Sequence, residues 1–156
     1  MCSGALVLVK LRNFEPKDLL ELMRIELSSF PTDTFDEHIF FQLYESCRDL
    51  FLVAEAEGKI VGYSVTCIEW EGDTLMGHVH SIAVDPALRR RGVGRALMEE
   101  TFRRLRSLGV SEVKLEVSVN NEAGLRFWQS LGFEPVGIKK EYYADGSDAL
   151  VMRMKL

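Results

Sequence analysis

The chain is poor in the residues that mark several protein classes. It has three cysteines in 156 residues, Cys2, Cys47 and Cys67. A secreted disulfide framework is dense and even-numbered, whereas this set is odd and scattered. No two cysteines stand at metal-ligand spacing such as C-x-x-C. They read as isolated residues, and no metal is expected. Glycine (12) and proline (4) are too few for a collagen-like or low-complexity chain. No run approaches the roughly 20 apolar residues of a membrane span. The amino-terminal apolar run, Ala5 to Val9, is too short for a signal peptide and has no basic start. A large charge of one sign is also lacking. Lys plus Arg is 19 and Asp plus Glu is 24, a net charge of −5, which argues against bulk nucleic-acid binding.

What is there fits one soluble domain. The sequence is 47% hydrophobic and 28% charged, and its length suffices for one sizeable core but not for two comfortable ones. A single domain over 1–156, in the cytoplasm, is expected. Leu6 to Val9 reads as a first strand, broken near Pro16. Asp18 to Ser28 has the wide apolar face of a helix, ended by Phe30-Pro31. A second helix is expected from Thr34 to Tyr44, with Thr34 as N-cap. Strands follow at Leu50–Ala56, Lys59–Ile68 and Asp73–Val84, the last stopped by Asp85-Pro86. Gly92 to Leu108 is the clearest helix, with Gly109 as its stop signal. A strand over Val113–Val119, a helix over Asn121–Leu131 closed by Gly132, and strands over Glu134–Tyr143 and Leu150–Leu156 complete the chain. The order βααβββαβαββ predicts an α/β (α+β) domain with a mixed, mostly antiparallel sheet. Its strand–helix–strand unit around 74–119 should contain a parallel pair.

Two segments carry chemistry. In HSIAVDPALRRRGVGRALMEE a strand ends, a loop bears Arg89, Arg90, Arg91, Gly92, Val93 and Gly94, and a helix begins. Glycines let backbone approach phosphate oxygens, unpaired N–H groups at a helix start point at them, and arginines add charge-assisted hydrogen bonds. A Rossmann fingerprint fails because Leu97 occupies the third glycine position, and a P-loop fails because no Gly-Lys follows. A basic, solvated helix start is the plainer alternative. A nucleic-acid patch is another, but Glu99 and Glu100 interrupt the arginines. The second segment, LEVSVNNEAGLRFWQSLGF, ends a strand at Asn120-Asn121 and starts a helix at once.

Together these segments resemble the GCN5-related N-acetyltransferases. That family's pyrophosphate pattern, [QR]-x-x-G-x-[GA], is met by Arg89, Gly92 and Gly94, and its second pattern by Leu115 to Phe133. The stretches Gly77–Val84 and Tyr142–Ala149 resemble archaeal N-terminal acetyltransferases and bacterial ribosomal-protein alanine N-acetyltransferases in particular. Residues 29–48 match least, in a region that shapes substrate choice in the family.

The resemblance implies a seven-stranded sheet splayed between strands 4 and 5, about four helices, and acetyl-CoA as cosubstrate. It implies backbone contacts to the pantetheine from Ile82, Ala83 and Val84, an oxyanion site near Val84, and pyrophosphate held by Arg89, Arg90, Arg91, Gly92, Val93, Gly94 and Arg95. Asn121 would bond the pantetheine arm. Glu116 and His78 match the positions of the base, with plainer readings as a solvent-facing carboxylate and a structural histidine. His80 shares the strand parity of His78 but not the family position. Trp128 stands where many relatives carry a tyrosine that protonates the leaving thiolate. Indole is not a useful proton source, so Trp128 is expected to pack against the cofactor. Tyr142, Tyr143 and Thr34 are candidate substrate contacts, with Glu26 and Thr32 looser ones.

The leading expectation is transfer of acetyl to protein N-terminal amines, on ribosomal proteins or nascent chains, with no membrane and no direct nucleic-acid partner. Acetylation of lysine or a small amine is the alternative within the class, and a non-catalytic CoA-binding or ribosome-associated module the alternative outside it. The preferred first residue of the substrate and the oligomeric state stay open.

Overall fold

The computed structural model describes residues 5–30 and 35–156. Its elements are β1 (Lys10–Asn13), α1 (Leu19–Ser29), α2 (Glu37–Cys47), β2 (Phe51–Ala56), β3 (Lys59–Glu71), β4 (Thr74–Val84), α3 (Val93–Ser107), β5 (Glu112–Ser118), α4 (Glu122–Leu131), β6 (Glu134–Lys139) and β7 (Ala149–Lys155). The strands are hydrogen-bonded in the order β1-β2-β3-β4-β5-β7-β6. Pairs β1–β2, β2–β3, β5–β7 and β6–β7 are antiparallel, and β4–β5 is parallel. This is the mixed, mostly antiparallel sheet that the element order predicted. Among the described residues no helix is long and apolar enough to cross a membrane.

The chain divides into two compact units, Met1–Cys67 with His80–Arg104, and Ile68–Val79 with Leu105–Leu156. In the first, α1 buries Leu19, Leu22, Ile25 and Glu26, residues three and four apart on one face. They join Phe14, Phe40, Phe51 and Tyr63 in one apolar cluster. Phe14 stacks on Phe51 at 4.2 Å, and Phe40 meets Tyr63 edge-on at 5.7 Å. Each such side chain taken from water contributes on the order of 2 kcal/mol. A second cluster, Leu52, Ala54, Val61, Val93 and Leu97, joins the start of α3 to β2 and β3.

Three expectations need correction here. The first strand is Lys10–Asn13, not Leu6–Val9. Leu6 and Leu8 are exposed, and the ladder begins only where Lys10 meets Glu55. Arg12 fixes that start, because its guanidinium forks onto Asp18 at 2.8 Å and also meets Glu55. The N-cap of α2 is Asp36, whose carboxylate accepts from the Ile39 N–H at 2.9 Å, while Thr34 and Thr32 lie outside the described residues. Nor are the cysteines all isolated. The end of α2 brings Cys47 against β3, where it forms a disulfide with Cys67, the Cα atoms 4.7 Å apart. Twenty residues separate the two in sequence, so only the packing of α2 reveals the pair.

In the second unit, β5 alternates. Val113, Leu115 and Val117 are buried, and the residues between them face the other way. Met152 and Ala149 of β7 are buried beside them, in register with Leu115 and Ser118. Helix α4 starts at Asn121, whose side chain caps the Gly124 N–H at 2.9 Å, and ends at Gly132 in the left-handed conformation. On β4, a side chain at Gly77 would stand 2.9 Å from Leu105, so glycine lets that fully buried leucine press on the strand beside His78.

Candidate active site

The strand pattern assembles a charged cluster in the second unit. The parallel β4–β5 ladder covers three pairs, Met76 with Glu112, Gly77 with Val113 and His78 with Lys114. Because Val113, Leu115 and Val117 point to the core, Lys114 and Glu116 share the opposite face, and strand pairing puts His78 on it too. His78 Nε2 lies 2.8 Å from Glu116 Oε1. Lys139, at the end of β6, donates to Glu116 Oε2 at 3.1 Å. The two side chains are shielded, Glu116 only 7% and His78 15% exposed, so their charges depend on each other more than on water.

Burial alone would raise the Glu116 carboxyl. The hydrogen bond and charge of His78, with Lys139, outweigh it and hold Glu116 at about 2. Burial alone would lower His78, but Glu116 and then Glu69 outweigh that and raise it above its ordinary value. The cluster is therefore a carboxylate–imidazole pair in which each group favours the charged form of the other, and which with the imidazole neutral has room for one more proton. Such a pair can take a proton from an amine while the charge stays shared. The Lys139 ammonium also stands 5.4 Å over the ring of Tyr142, and Tyr142 meets Tyr143 edge-on at 4.9 Å. Burial and the Glu116 charge push the Tyr142 phenol up, so it stays neutral and can act as a donor. The structure thus brings Glu116, His78 and Tyr142 into one neighbourhood. His80 is exposed, in contrast to half-buried His78.

The second piece is the loop before α3, in the first unit. Arg90 has φ +64° and Gly92 φ +87°. These two left-handed residues flank Arg91, and a turn of that kind can aim backbone N–H groups at an anion. The first-turn N–H groups of the fifteen-residue helix α3 follow. Val93 is buried and anchors the helix start, while Arg90 and Arg95 are exposed and Arg91 and Gly94 half-exposed. Arg89 differs from its neighbours. It reaches back to Ser29 Oγ at 3.0 Å and the Val84 carbonyl at 3.3 Å, tying the loop to α1 and the end of β4. Of the preceding residues, Ala83 is buried and Ile82 and Val84 are partly so. These donors, glycines and cations suit a diphosphate.

Other candidates have local roles. Asn121 caps α4 through its Oδ1. Trp128 is buried, with edge contacts to Phe127 at 4.9 Å and Phe133 at 5.3 Å. Glu26 is fully buried in the first unit and meets the Tyr63 hydroxyl, while its other oxygen accepts from the Phe35 N–H at 2.9 Å. Sequence reasoning missed Lys139 and Glu69, which flank the pair from β6 and β3. Their only signal was strand alternation, which does not reveal which strands are neighbours.

Comparison with known proteins supplies the frame. A family model described as "Acetyltransferase (GNAT) family" matches residues 17–133. An N-alpha-acetyltransferase of Sulfurisphaera tokodaii is 33% identical over 94% of this chain and 93% of its own. The [ribosomal protein bS18]-alanine N-acetyltransferase of Escherichia coli is 31% identical over 82% of this chain and 78% of its own. Among solved structures, Chaetomium thermophilum Naa20 in complex with a bisubstrate analogue superposes with a TM-score of 0.88 at 30% identity, covering 95% of this chain and 87% of that one.

Proposed function

The chain belongs to the acetyltransferase (GNAT) family, and from that premise we propose that it transfers acetyl from acetyl-CoA to the N-terminal α-amine of proteins. The single observation that carries the proposal is the shielded Glu116–His78 pair, 2.8 Å apart. The acceptors are N-termini of ribosomal proteins or nascent chains in the cytoplasm. The relatives named for N-terminal and ribosomal-protein acetylation support this choice.

The reaction is direct attack in a ternary complex. The amine nitrogen bonds to the thioester carbon, the C–S bond breaks, and CoA leaves as thiolate. The Glu116–His78 pair takes the proton the amine loses. An α-amine has a reference pKa of ~8 against ~10.4 for lysine, so a modest base suffices and N-termini are favoured over side chains at neutral pH. A thiol of pKa ~8.5 leaves without an acid partner, so Trp128 in place of a proton donor is compatible with turnover.

The loop from Arg89 to Arg95 binds the pyrophosphate through its left-handed backbone, the α3 N–H groups and the guanidinium groups of Arg90, Arg91 and Arg95. Arg89 braces that loop. Ile82, Ala83 and Val84 offer backbone groups to the pantetheine. Asn121 keeps its amide nitrogen for the same arm while its oxygen caps α4, and Trp128 packs at that end. Tyr142 and Tyr143 contact the first residues of the acceptor.

Mass spectrometry of peptides offered with acetyl-CoA tests the reading. Among peptides beginning with Ser, Ala, Thr, Met and Glu, those with the preferred first residue should gain one acetyl group at the N-terminus, which reveals that preference. A peptide with a blocked N-terminus and an internal lysine should gain none. Acetylation of the blocked peptide would move the activity to lysine, and CoA binding without any transfer would point to a small-amine acceptor or a binding module.

A further inference from the structure

The second ring nitrogen of His78 has a partner of its own. Nδ1 lies 3.3 Å from Oε2 of Glu69 on β3, while Nε2 lies 2.8 Å from Glu116. Ionised carboxylate oxygens accept and cannot donate. A neutral imidazole carries one N–H and so serves only one of these two carboxylates. The imidazolium serves both. The arrangement is therefore built for a histidine that gains and loses its second proton in place.

Glu69 is itself anchored. Lys114 holds its Oε1 at 2.9 Å and Glu71 at 2.8 Å, and Lys114 is the β5 register partner of His78. Arg153 holds Glu71 from β7. The row is graded in exposure. The Glu116 side chain is 7% exposed, His78 15% and Glu69 39%, so its inner end is dry and its outer end wet.

Resting on the acetyl-transfer reading above, we propose that Glu69 is a positioning residue for the His78–Glu116 base. It fixes the ring through Nδ1 and passes the reaction's proton to water. The proton given up by the amine reaches Nε2 by way of Glu116. A different proton leaves Nδ1 to Glu69 and then to solvent. One proton moves from amine to water, no other reactant is consumed, and the ring regains its starting tautomer by exchange with water. The charged groups around His78 are Glu116 and Lys114 on β5, Glu69 on β3, and Lys139 on β6 acting through Glu116. The exposed His80 on β4 also brings a ring nitrogen within 4.8 Å of His78 and Glu69, and of the carboxylates that contact the ring Glu69 is the one more open to water.

Glu69→Gln keeps the shape and removes the charge. The pH at which His78 titrates is read from its ring C–H resonances in the full chain, assigned by replacing the other two histidines, His38 and His80, singly. It should move to lower pH in Glu69→Gln, and the acid limb of kcat/KM should move down with it. Glu69→Asp, which keeps the charge, should titrate closer to the native protein, while Glu69→Ala, which also removes the charge, should shift in the same direction as Glu69→Gln and covers the case in which the glutamine variant does not fold. Glu71→Gln, which leaves the Glu69–His78 contact in place, should move neither readout. An unchanged His78 titration in folded Glu69→Gln or Glu69→Ala would overturn the proposal. The resonances need no substrate. Failure of the native protein to transfer acetyl would therefore overturn the functional reading, while the titration still decides whether Glu69 governs His78.

Discussion

Glu116 and His78 meet at 2.8 Å across two parallel strands whose ladder is only three residue pairs long. That contact joins residues 38 apart in sequence, and its chemistry follows from burial. Neither group has enough water to carry its charge alone, so each stabilises the ionised form of the other.

Glu116→Gln removes the carboxylate while conserving volume. Acetyl transfer should fall by on the order of 10²–10⁴-fold, the range of a lost general base. Acetyl-CoA affinity by calorimetry should stay within about twofold, because the proposed role of Glu116 is to take the amine's proton and not to hold the cofactor. A parallel loss of affinity would show that Glu116 organises the cofactor site instead.

The same pair makes stability depend on pH in both directions. Glu116 is held at about 2 when folded, against ~4.3 when unfolded. Its contribution is therefore present above ~4.3 and lost as pH falls toward that folded value. His78 is raised when folded, so its contribution is present below ~6.5 and lost as pH rises through the folded value. The difference in urea-unfolding free energy between the native protein and Glu116→Gln should peak between roughly pH 4.3 and 6.5 and shrink on both sides. A flat difference would contradict the coupling.

Gly92→Ala should weaken acetyl-CoA binding about tenfold. The position has φ +87°, and a Cβ there would lie 3.0 Å from Leu6. A left-handed L-residue costs about 1–2 kcal/mol, which the loop can relieve only by leaving its cradle geometry. Equilibrium binding with circular dichroism as a folding check separates the two effects.

Trp128→Phe should leave turnover within a few-fold of native, because the indole is read as packing and not as a proton source. Trp128→Ala should cost about 3–5 kcal/mol of stability, since it empties the space beside Phe127 and Phe133. A hundredfold loss of kcat in Trp128→Phe, with folding intact, would assign the indole a role in the chemistry.

Reduction of Cys47–Cys67, or the double replacement by serine, should destabilise the protein by about 3 kcal/mol. The bridge closes a twenty-residue separation, and the chain-entropy model gives that cost for a loop of this length. Thermal unfolding with and without reductant reads it directly, and equal midpoints would show that the thiols are not bridged in solution.

Local signals sufficed for much of this protein. The apolar period of α1 and α3, the Asn121 and Gly132 caps of α4, and the Arg/Gly loop before a helix are each written within a few residues of sequence. There the backbone's own geometry and the nearest side chains decide the outcome. Glu116 and His78 were legible because they sit in family motifs, not because spacing revealed a contact. Other features depend on which segments become neighbours. The first strand begins at Lys10 and not at Leu6 because Arg12 finds Asp18 and Glu55. Helix α2 starts at Asp36 because that carboxylate reaches an N–H three residues on. Cys47 bonds Cys67 because α2 ends over β3. Glu69 and Lys139 join the candidate base only after β3, β5 and β6 have found their places. Strand alternation tells which face a residue takes, but hydrogen-bonded pairing between distant segments tells what it meets there, and that pairing is settled by burying the whole core at once.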